Sequence, residues 1–404
     1  MTTSTKNFLP YGKQCIDDDD IAAVTQVLRS DWLTTGPAVD EFENALARSC
    51  QAPHAVACAN GTAALHLTAL ALGLNNTDCV IVPTMTFLAT ANAIRFVGAE
   101  VQFADVDPAT GLIRLEDAQR AMESAGNRIT AIYVVHLNGQ SVNMQEIYGF
   151  AQQHGLRVVE DAAHAIGTDL LLDAGQHAPV GSCRYADMTI FSMHPVKTIT
   201  MGEGGAVTTR NAELNKKLRA LRSHGMTRDP AEFQQRDLGF SRDGSANAWY
   251  YEMPEVGFNY RESDINCALG LSQLKKLAQF KIKRAELRAL YNKLLQPLAP
   301  KIRPVPAVPW SDSCWHLYPV HIDFSALGIE RQQLVEILKQ AGIGTQVHYL
   351  PVHMQPYYRR RYGELSLPNA KRYYDSVLSL PFYPTLTTED VARVIHELTR
   401  VVNR

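Results

Sequence analysis

The sequence predicts an α/β protein with a mostly parallel sheet that is covered by helices on both faces. Two observations support this prediction. Between about residues 55 and 209, short runs rich in Val and Ile alternate with segments of helical periodicity. The runs are continuously apolar and do not alternate with polar residues, which is typical of parallel strands buried on both faces. The chain has 404 residues, 46% of them hydrophobic, which is enough for a sizeable core.

The elements of this first part follow from local patterns. Gly73, Gly98 and Gly155 each follow a helical segment, at the position where glycine commonly ends a helix. The predicted strands are Val80–Val82, Val101–Ala104, Ile129–Val135, Leu156–Val159, Met188–Phe191 and Ala206–Thr208. The predicted helices are Ala63–Leu72, Leu88–Val97, Leu115–Glu123 and Met144–His154.

The rest of the chain differs in character. Residues 224–260 are rich in Gly, Asp, Arg and aromatic residues without a period, and a loop of this length in a compact domain is usually functional. Apolar spacing predicts one helix over 264–295, and prolines between 297 and 309 indicate a linker. A small α+β domain is then expected from Leu317–Ile322, the helix Arg331–Gln340, Gly344–His348 and two closing helices.

Composition excludes several classes of protein. Lys plus Arg is 39 and Asp plus Glu is 41, so a general nucleic-acid binder is not expected. No apolar run reaches the length of a membrane span. The first 14 residues lack the features of a secretory signal, and the 7 cysteines are scattered without a CxxC pair. We therefore expect a cytoplasmic protein with reduced thiols that binds neither nucleic acid nor membrane.

The first candidate site is Asn60-Gly61-Thr62-Ala63, directly before a predicted helix. Backbone N–H groups at a helix start, next to the positive end of the helix dipole, form a cradle for a phosphate. The alternative is an ordinary Asn cap followed by a glycine turn, which is the commoner use of this pattern.

The second candidate is Asp161, which follows the strand predicted to end at Val159. Open α/β sheets bind ligands at the carboxyl ends of their strands. There Asp161 could hold a protonated heteroaromatic nitrogen, and His164 could donate a hydrogen bond to the same ligand. The alternative is that Asp161 only caps a following Ala-rich helix.

The third candidate is Lys197, in a segment that also carries Ser192 and His194 and ends in the turn Gly202–Gly205. Apolar neighbours lower the pKa of an amine, which then can attack a carbonyl. Ser192 could add a hydroxyl to a phosphate site. The alternatives are a solvated surface lysine and a serine that bonds its own backbone.

Together these three features match what pyridoxal 5′-phosphate (PLP) requires: an amine for its aldehyde, an anion for its ring nitrogen and N–H donors for its phosphate. Phosphate-binding and nucleophile motifs of the forms G-x-x-x-x-G-K-[ST] and G-x-S-x-G do not occur. The histidines show no metal-binding spacing such as H-E-x-x-H, so no metal is expected.

These residues resemble those of the DegT/DnrJ/EryC1/StrS sugar aminotransferases, a branch of the fold-type I PLP enzymes. The similarity extends from Leu28 to Pro384. It implies a large PLP-binding domain with an N-terminal arm over residues 1–260, with a mostly parallel seven-stranded sheet. It also implies a long connecting helix over 261–300 and a small C-terminal α+β domain over 301–404.

The resemblance also implies roles for residues. Lys197 corresponds to the lysine that forms a Schiff base with the cofactor and then acts as the general base. Asp161 pairs with the pyridine nitrogen, and His164 lies beside the ring hydroxyl. The other cofactor-binding residues would be Gly61, Thr62, Ala63 and Ser192 at the phosphate, Phe87 stacked on the ring, and Asn259 reaching the phosphate from the neighbouring subunit of a homodimer with shared active sites.

Within the family the chain is most similar to the transaminases of pseudaminic acid biosynthesis, through 194–200, 222–225, 249–253 and 346–353. These enzymes convert a UDP-linked 4-keto-6-deoxy-N-acetylhexosamine to UDP-4-amino-4,6-dideoxy-N-acetyl-β-L-altrosamine, with L-glutamate as amino donor. The candidate substrate-binding residues are His194, Arg228, Arg261, His348, Tyr349 and His353. Surface ion pairs and domain packing are the alternatives for these side chains.

Three other functions remain open. One is an aminotransferase for another nucleotide-linked keto sugar, at C4 or C3, because sugar choice depends on a few pocket contacts. Another is a PLP-dependent sugar dehydratase, in which a histidine replaces the lysine, so Lys197 disfavours it. The last is a non-catalytic PLP-binding regulator, which needs a second module such as a basic helix-turn-helix.

Overall fold

The structure of the protein, a computed structural model, describes residues 8–126, 128–172 and 175–403. Residues 1–7 of the predicted N-terminal arm lie outside the described residues. The strands are β1 (His54–Cys58), β2 (Cys79–Pro83), β3 (Glu100–Ala104), β4 (Ile129–Val135), β5 (Arg157–Asp161), β6 (Asp169–Leu171), β7 (His177–Pro179), β8 (Met188–Ser192), β9 (Gly205–Thr209), β10 (Ile302–Pro304), β11 (Ser311–Asp312), β12 (Tyr318–Ile322) and β13 (Val377–Leu380).

The helices lie between these strands and at both ends of the described chain. They are α1 (Asp18–Leu28), α2 (Pro37–Cys50), α3 (Gly61–Ala71), α4 (Leu88–Phe96), α5 (Leu115–Glu123), α6 (Met144–His154), α7 (Ala212–Arg222), α8 (Arg236–Gly239), α9 (Asp264–Lys275), α10 (Leu277–Leu295), α11 (Phe324–Leu327), α12 (Arg331–Gln340), α13 (Pro356–Tyr362), α14 (Pro368–Ser376) and α15 (Thr388–Val402).

A seven-stranded sheet forms the centre of the molecule, in the order β1-β9-β8-β5-β4-β2-β3. Strand β9 is antiparallel to β1 and β8, and the other pairs are parallel. The side chains of β2 point alternately to the two faces of the sheet. Ile81 packs in a core that also contains α2 and α5. Val80 and Val82 pack in a second core, which contains α3 and α4. The predicted α/β class with its mostly parallel seven-stranded sheet is confirmed.

The first strand of this sheet, β1, was not among the predicted strands. Its sequence His-Ala-Val-Ala-Cys is short and contains two alanines, which have low strand propensity. It is a strand because all five of its residues pair with β9, a contact between segments about 150 residues apart that no local pattern reveals.

The predicted helix over 264–295 is two helices. Helix α9 begins after its cap Ser263 and ends at Lys275, and α10 begins at Leu277. Between them the backbone N–H of Lys276 donates to the carbonyl of Gln273, three residues back, at 3.0 Å. The ammonium of Lys276 pairs with Asp17, the cap of α1, and with Asp20 in the first turn of that helix. The break is therefore fixed by tertiary ion pairs and a tightened turn.

A second sheet, in the order β10-β12-β13, is antiparallel and forms a third core with α10, α12 and α15. The expected element at Gly344–His348 forms one bridge, between Gln346 and Ser379. The domain boundaries at residues 260 and 300 stay a prediction. Among the described residues, no helix combines the length and the apolar character that a membrane crossing requires.

Candidate active site

A cavity of about 770 Å³ lies at the carboxyl ends of β5 and β8, where Asp161 and Ser192 end their strands. This edge of the sheet is where open α/β folds bind ligands. The predicted site residues that line the cavity are Gly61, Thr62, Ala63, Phe87, Asp161, His164, Ser192, His194, Lys197, His348 and Tyr349. Segments far apart in the sequence thus meet in one place.

The N-terminus of α3 faces this cavity. The side-chain oxygen of Asn60 accepts a hydrogen bond from the N–H of Ala63 at 2.8 Å, so Asn60 is a helix cap. The N–H groups of Gly61 and Thr62, the first two residues of the helix, have no carbonyl one turn earlier to bond. A Cβ on Gly61 would lie 2.8 Å from the Cβ of Ser192. Only glycine therefore allows the helix end and the serine to approach closely enough to share an anion.

Asp161 is buried at the base of the cavity, with 5% of its surface exposed. The hydroxyl of Thr90 donates to Oδ2 at 2.7 Å, and the N–H of Ala163 donates to Oδ1 at 3.1 Å. Burial raises the pKa of Asp161, although both hydrogen bonds and the charge of Lys197 oppose the shift. Residues 162–167 form turns, so there is no following helix for Asp161 to cap. A cationic N–H donor in the cavity would stabilise this carboxylate.

Lys197 lies in the turn that follows β8, where its backbone N–H donates to the carbonyl of His194 at 2.8 Å. Burial lowers the pKa of the Lys197 amine to about 8, and the nearby charge of Asp161 limits the shift. At a pKa of about 8, roughly a tenth of the amine is unprotonated at pH 7, and this form is the nucleophile toward an aldehyde.

His164 is held by two hydrogen bonds that determine its tautomer. Its Nδ1 accepts from the backbone N–H of Asn138 at 3.4 Å, so the proton belongs on Nε2, which lies 3.1 Å from the hydroxyl oxygen of Tyr349. Burial, together with the charge of Lys197, holds the pKa of His164 well below its usual range. Neutral His164 therefore donates to Tyr349, and the hydroxyl hydrogen of Tyr349 remains available to a ligand.

Four predicted residues do not line this cavity in the single chain. His353 was expected to meet the substrate; its Nδ1 lies 2.7 Å from the hydroxyl of Thr84 and its ring packs near Phe103, and its role at the substrate stays a prediction. Arg228 is exposed and lies over the ring of Tyr251 in the loop 224–260. Arg261 and Asn259 are at the end of that loop, and Asn259 is exposed. A role for these three in a neighbouring subunit stays a prediction.

Other residues at the site had not been predicted from the sequence. Tyr11 and Tyr260 line the cavity, and the ring of His316 lies 4.5 Å from that of His164. Thr90 has a weak sequence signal, since it lies in the first turn of α4, three residues after the cap Phe87. Tyr11 and His316 have none, because they come from segments that local patterns do not connect to the strand ends.

The residues present fit PLP. The cradle at Gly61 and Ser192 suits a phosphate, Asp161 suits a protonated ring nitrogen, and Lys197 suits an aldehyde. Phe87, 56% exposed, offers an aromatic face to a ring. Among residues 8–126, 128–172 and 175–403, no group of three or more His, Cys, Asp or Glu side chains is placed to hold a metal ion.

Comparison with known proteins gives the same result. Residues 14–399 match the DegT/DnrJ/EryC1/StrS aminotransferase family. The chain is 38% identical over 405 residues to the spore coat polysaccharide biosynthesis protein SpsC of Bacillus subtilis, covering 100% of this chain and 99% of that one.

Among solved structures, it is similar to Helicobacter pylori PseC, an aminotransferase involved in the biosynthesis of pseudoaminic acid, with a TM-score of 0.86, 29% identity and coverage of 98% and 100% of the two chains. It is also similar to the PLP form of Streptococcus pneumoniae Spr1654, with a TM-score of 0.84, 26% identity and coverage of 98% and 99%. The chain belongs to the DegT/DnrJ/EryC1/StrS family of PLP-dependent aminotransferases.

Proposed function

We propose that this sugar aminotransferase acts on a UDP-linked 4-keto-6-deoxy-N-acetylhexosamine and forms UDP-4-amino-4,6-dideoxy-N-acetyl-β-L-altrosamine, with L-glutamate as amino donor. The observation that carries the aminotransferase chemistry is the position of Lys197, a partly buried amine in one cavity with the carboxylate of Asp161 and the cradle of Gly61. The similarity to PseC over 98% of this chain supports the choice of sugar.

Bound PLP supplies an electron sink that stabilises negative charge on the carbon next to the transferred nitrogen. The protein must hold it in place. We infer that the N–H groups of Gly61 and Thr62 and the hydroxyl of Ser192 bind its phosphate, while Phe87 covers one face of its ring. Asp161, oriented by Thr90, keeps its ring nitrogen protonated.

The proton that moves during transamination passes through Lys197. An unprotonated Nζ removes a proton from the amino donor's carbon and returns it on the other side of the transferred nitrogen. The same atom performs the reverse transfer when the keto sugar accepts the nitrogen. A pKa lowered to about 8 suits both directions, because the amine gains and loses a proton near neutral pH at little cost.

We also infer a homodimer in the cytoplasm whose subunits share their active sites. Apolar side chains on the loop 224–260 are exposed in the single chain: Trp249 by 77%, Val256 by 76% and Met253 by 58%. Burial of these side chains against a second copy would stabilise a dimer. It would also bring Asn259, Arg228 and Arg261 towards a neighbouring site, where arginines suit a diphosphate.

A second candidate is an aminotransferase for a different nucleotide-linked keto sugar. It is favoured by the 38% identity to SpsC, a spore coat polysaccharide biosynthesis protein, which is higher than the 29% identity to PseC. Both candidates share the PLP chemistry and differ in the sugar pocket.

An amino-transfer assay distinguishes the two candidates. Purified enzyme is given glutamate and a panel of UDP- and dTDP-linked 4-keto and 3-keto sugars, and the amino sugars are identified by mass spectrometry and NMR. The proposal predicts the highest kcat/KM with the UDP-linked 4-keto-6-deoxy-N-acetylhexosamine and the L-altro product. A dTDP sugar or a 3-keto sugar as the best substrate would favour the second candidate.

A further inference from the structure

An N-terminal segment, residues 8–12, crosses beside the active-site cavity. The backbone of Leu9 pairs with the small C-terminal part of the chain: its N–H donates to Gly342 at 2.9 Å, and its carbonyl accepts from Gly344 at 2.7 Å. Two residues later, the carbonyl of Tyr11 accepts from the N–H of Phe382 at 2.9 Å. These bonds hold the backbone on one side and leave the side chain of Tyr11 lining the cavity.

Tyr11 faces His348 across one wall of the cavity, with ring centroids 5.5 Å apart. Among the described residues, the hydroxyl of Tyr11 has no hydrogen-bond partner. His348 uses Nδ1 for a 2.8 Å hydrogen bond to the hydroxyl of Ser379, and its Nε2 has no partner in that part of the chain. Two polar atoms that have no hydrogen-bond partner among the described residues therefore share one wall of the cavity.

The polar groups on this wall of the cavity are uncharged near neutral pH. Burial and the charge of Lys197 lower the pKa of His348 to about 3, so its imidazole is uncharged near neutral pH. Lys197 is the one Lys or Arg among the described residues that line the cavity. A carboxylate is bound best by a cation, whereas the hydroxyl and N-acetyl groups of a sugar suit a phenol and a neutral imidazole. The wall therefore matches the sugar better than the amino donor.

We propose that Tyr11, with His348 beside it, is a sugar-binding residue that donates a hydrogen bond to the keto-sugar ring substituents and makes no contact with the amino donor. This inference rests on the proposed keto-sugar substrate. It assigns the N-terminal segment a direct part in substrate selection, because the segment carries Tyr11 to the cavity.

The test is Tyr11→Phe, which removes one oxygen atom and leaves the ring. Steady-state kinetics are measured with the UDP-linked 4-keto sugar and with glutamate varied separately. Loss of one neutral hydrogen bond predicts a KM for the sugar raised about three- to tenfold, with kcat changed less than about twofold. The KM for glutamate stays at the wild-type value. Tyr357→Phe is the matched control, since Tyr357 is 46% exposed on α13 and its hydroxyl bonds Arg95.

An unchanged KM for the sugar in Tyr11→Phe overturns the proposal, and so does an equal rise of KM for the sugar and glutamate. If the wild-type enzyme transfers nitrogen to none of the keto sugars, the proposed function itself fails, and the role of Tyr11 fails with it. If the wild type aminates the sugar and only the Tyr11→Phe effect is missing, the proposed function stands without this residue.

Discussion

Two ionisable residues of the site, the buried Asp161 and the partly buried Lys197, have pKa values that move in opposite directions. Burial lowers the pKa of Lys197 to about 8 and raises that of Asp161, since each loses water around its charged form. A protonated ring nitrogen beside Asp161 would restore the carboxylate, and an aldehyde beside Lys197 would meet an amine that loses its proton more easily than an ordinary lysine. The same desolvation therefore prepares both side chains for PLP.

The lowered pKa of Lys197 predicts its reactivity in cofactor-free enzyme. Below pH 8 the amine is mostly charged and unreactive, and above it the amine is mostly free. Competitive labelling with an amine reagent, read by peptide mass spectrometry, should therefore give a midpoint near pH 8 for Lys197. For Lys281, burial lowers the pKa but Asp169 and Asp312 outweigh it, so its midpoint should lie above the ordinary lysine value. Equal midpoints for the two lysines would contradict the account.

Asp161→Asn tests the charge beside the ring nitrogen with almost no change of shape. The variant should bind PLP, because the phosphate cradle is intact, and its kcat should fall by about 10²- to 10³-fold. Absorbance spectra measure the bound cofactor, and single-turnover kinetics with glutamate measure the chemical step. A kcat within about threefold of the wild type would show that Asp161 does not have this role.

Thr90 is a positioning residue, because it acts through Asp161. Thr90→Val removes the hydroxyl that donates to Oδ2 at 2.7 Å, and Thr90→Ser keeps it. We expect kcat to fall about tenfold in the first variant, from the loss of one hydrogen bond to a charged group, and to recover in the second. The pH profile of kcat should shift in Thr90→Val alone. Equal effects of both variants would indicate a packing role.

At the scale of elements, the site is formed where the start of α3 meets the end of β8. Gly61→Ala would force a Cβ to within 2.8 Å of Ser192 Cβ. The helix must then move away, and affinity for PLP should fall by at least about tenfold, or about 1.4 kcal/mol. Gly149→Ala on α6 is the control, because nothing lies within 4 Å of its added Cβ and alanine favours a helix. Titration of each cofactor-free variant with PLP measures its affinity for the cofactor. An unaltered affinity in Gly61→Ala would exclude a phosphate site at the start of α3.

Elements with strong local patterns were predicted closely from the sequence. Strand β4 (Ile129–Val135) and helices α5, α6 and α12 have the predicted bounds, because each has clear periodicity or a clear end signal. Strand β1 and the break at Lys276 were missed for a common physical reason. Both are determined by contacts with distant segments, β9 in one case and Asp17 with Asp20 in the other.

The site residues also divide into those with a local sequence pattern and those brought in by contacts between distant segments. Lys197, Asp161 and Gly61 could be predicted because each follows a strand or precedes a helix in the sequence. Tyr11 comes from the N-terminal segment and His316 from the segment between β11 and β12, so only the folded arrangement brings them to the site. His353 does not line the cavity, although its neighbours His348 and Tyr349 do.

At the scale of the whole molecule, the proposed shared active site predicts complementation between inactive variants. Lys197→Ala and Asn259→Ala homodimers should each have little activity. A hybrid dimer has one site with both residues intact, so subunit exchange at equal amounts should restore roughly a quarter of wild-type activity. Lys197→Ala mixed with Lys197→Ala/Asn259→Ala is the control and should stay inactive. No recovery after exchange, verified by native mass spectrometry, would contradict the shared site.

The central claim is that Lys197 is the residue that joins PLP covalently. Borohydride reduction of PLP-loaded enzyme, followed by proteolysis and peptide mass spectrometry, tests it most directly. We expect the reduced phosphopyridoxyl mass on the peptide that contains Lys197, and no such label on any peptide of Lys197→Ala. A label on another lysine, or none on Lys197, would contradict the account.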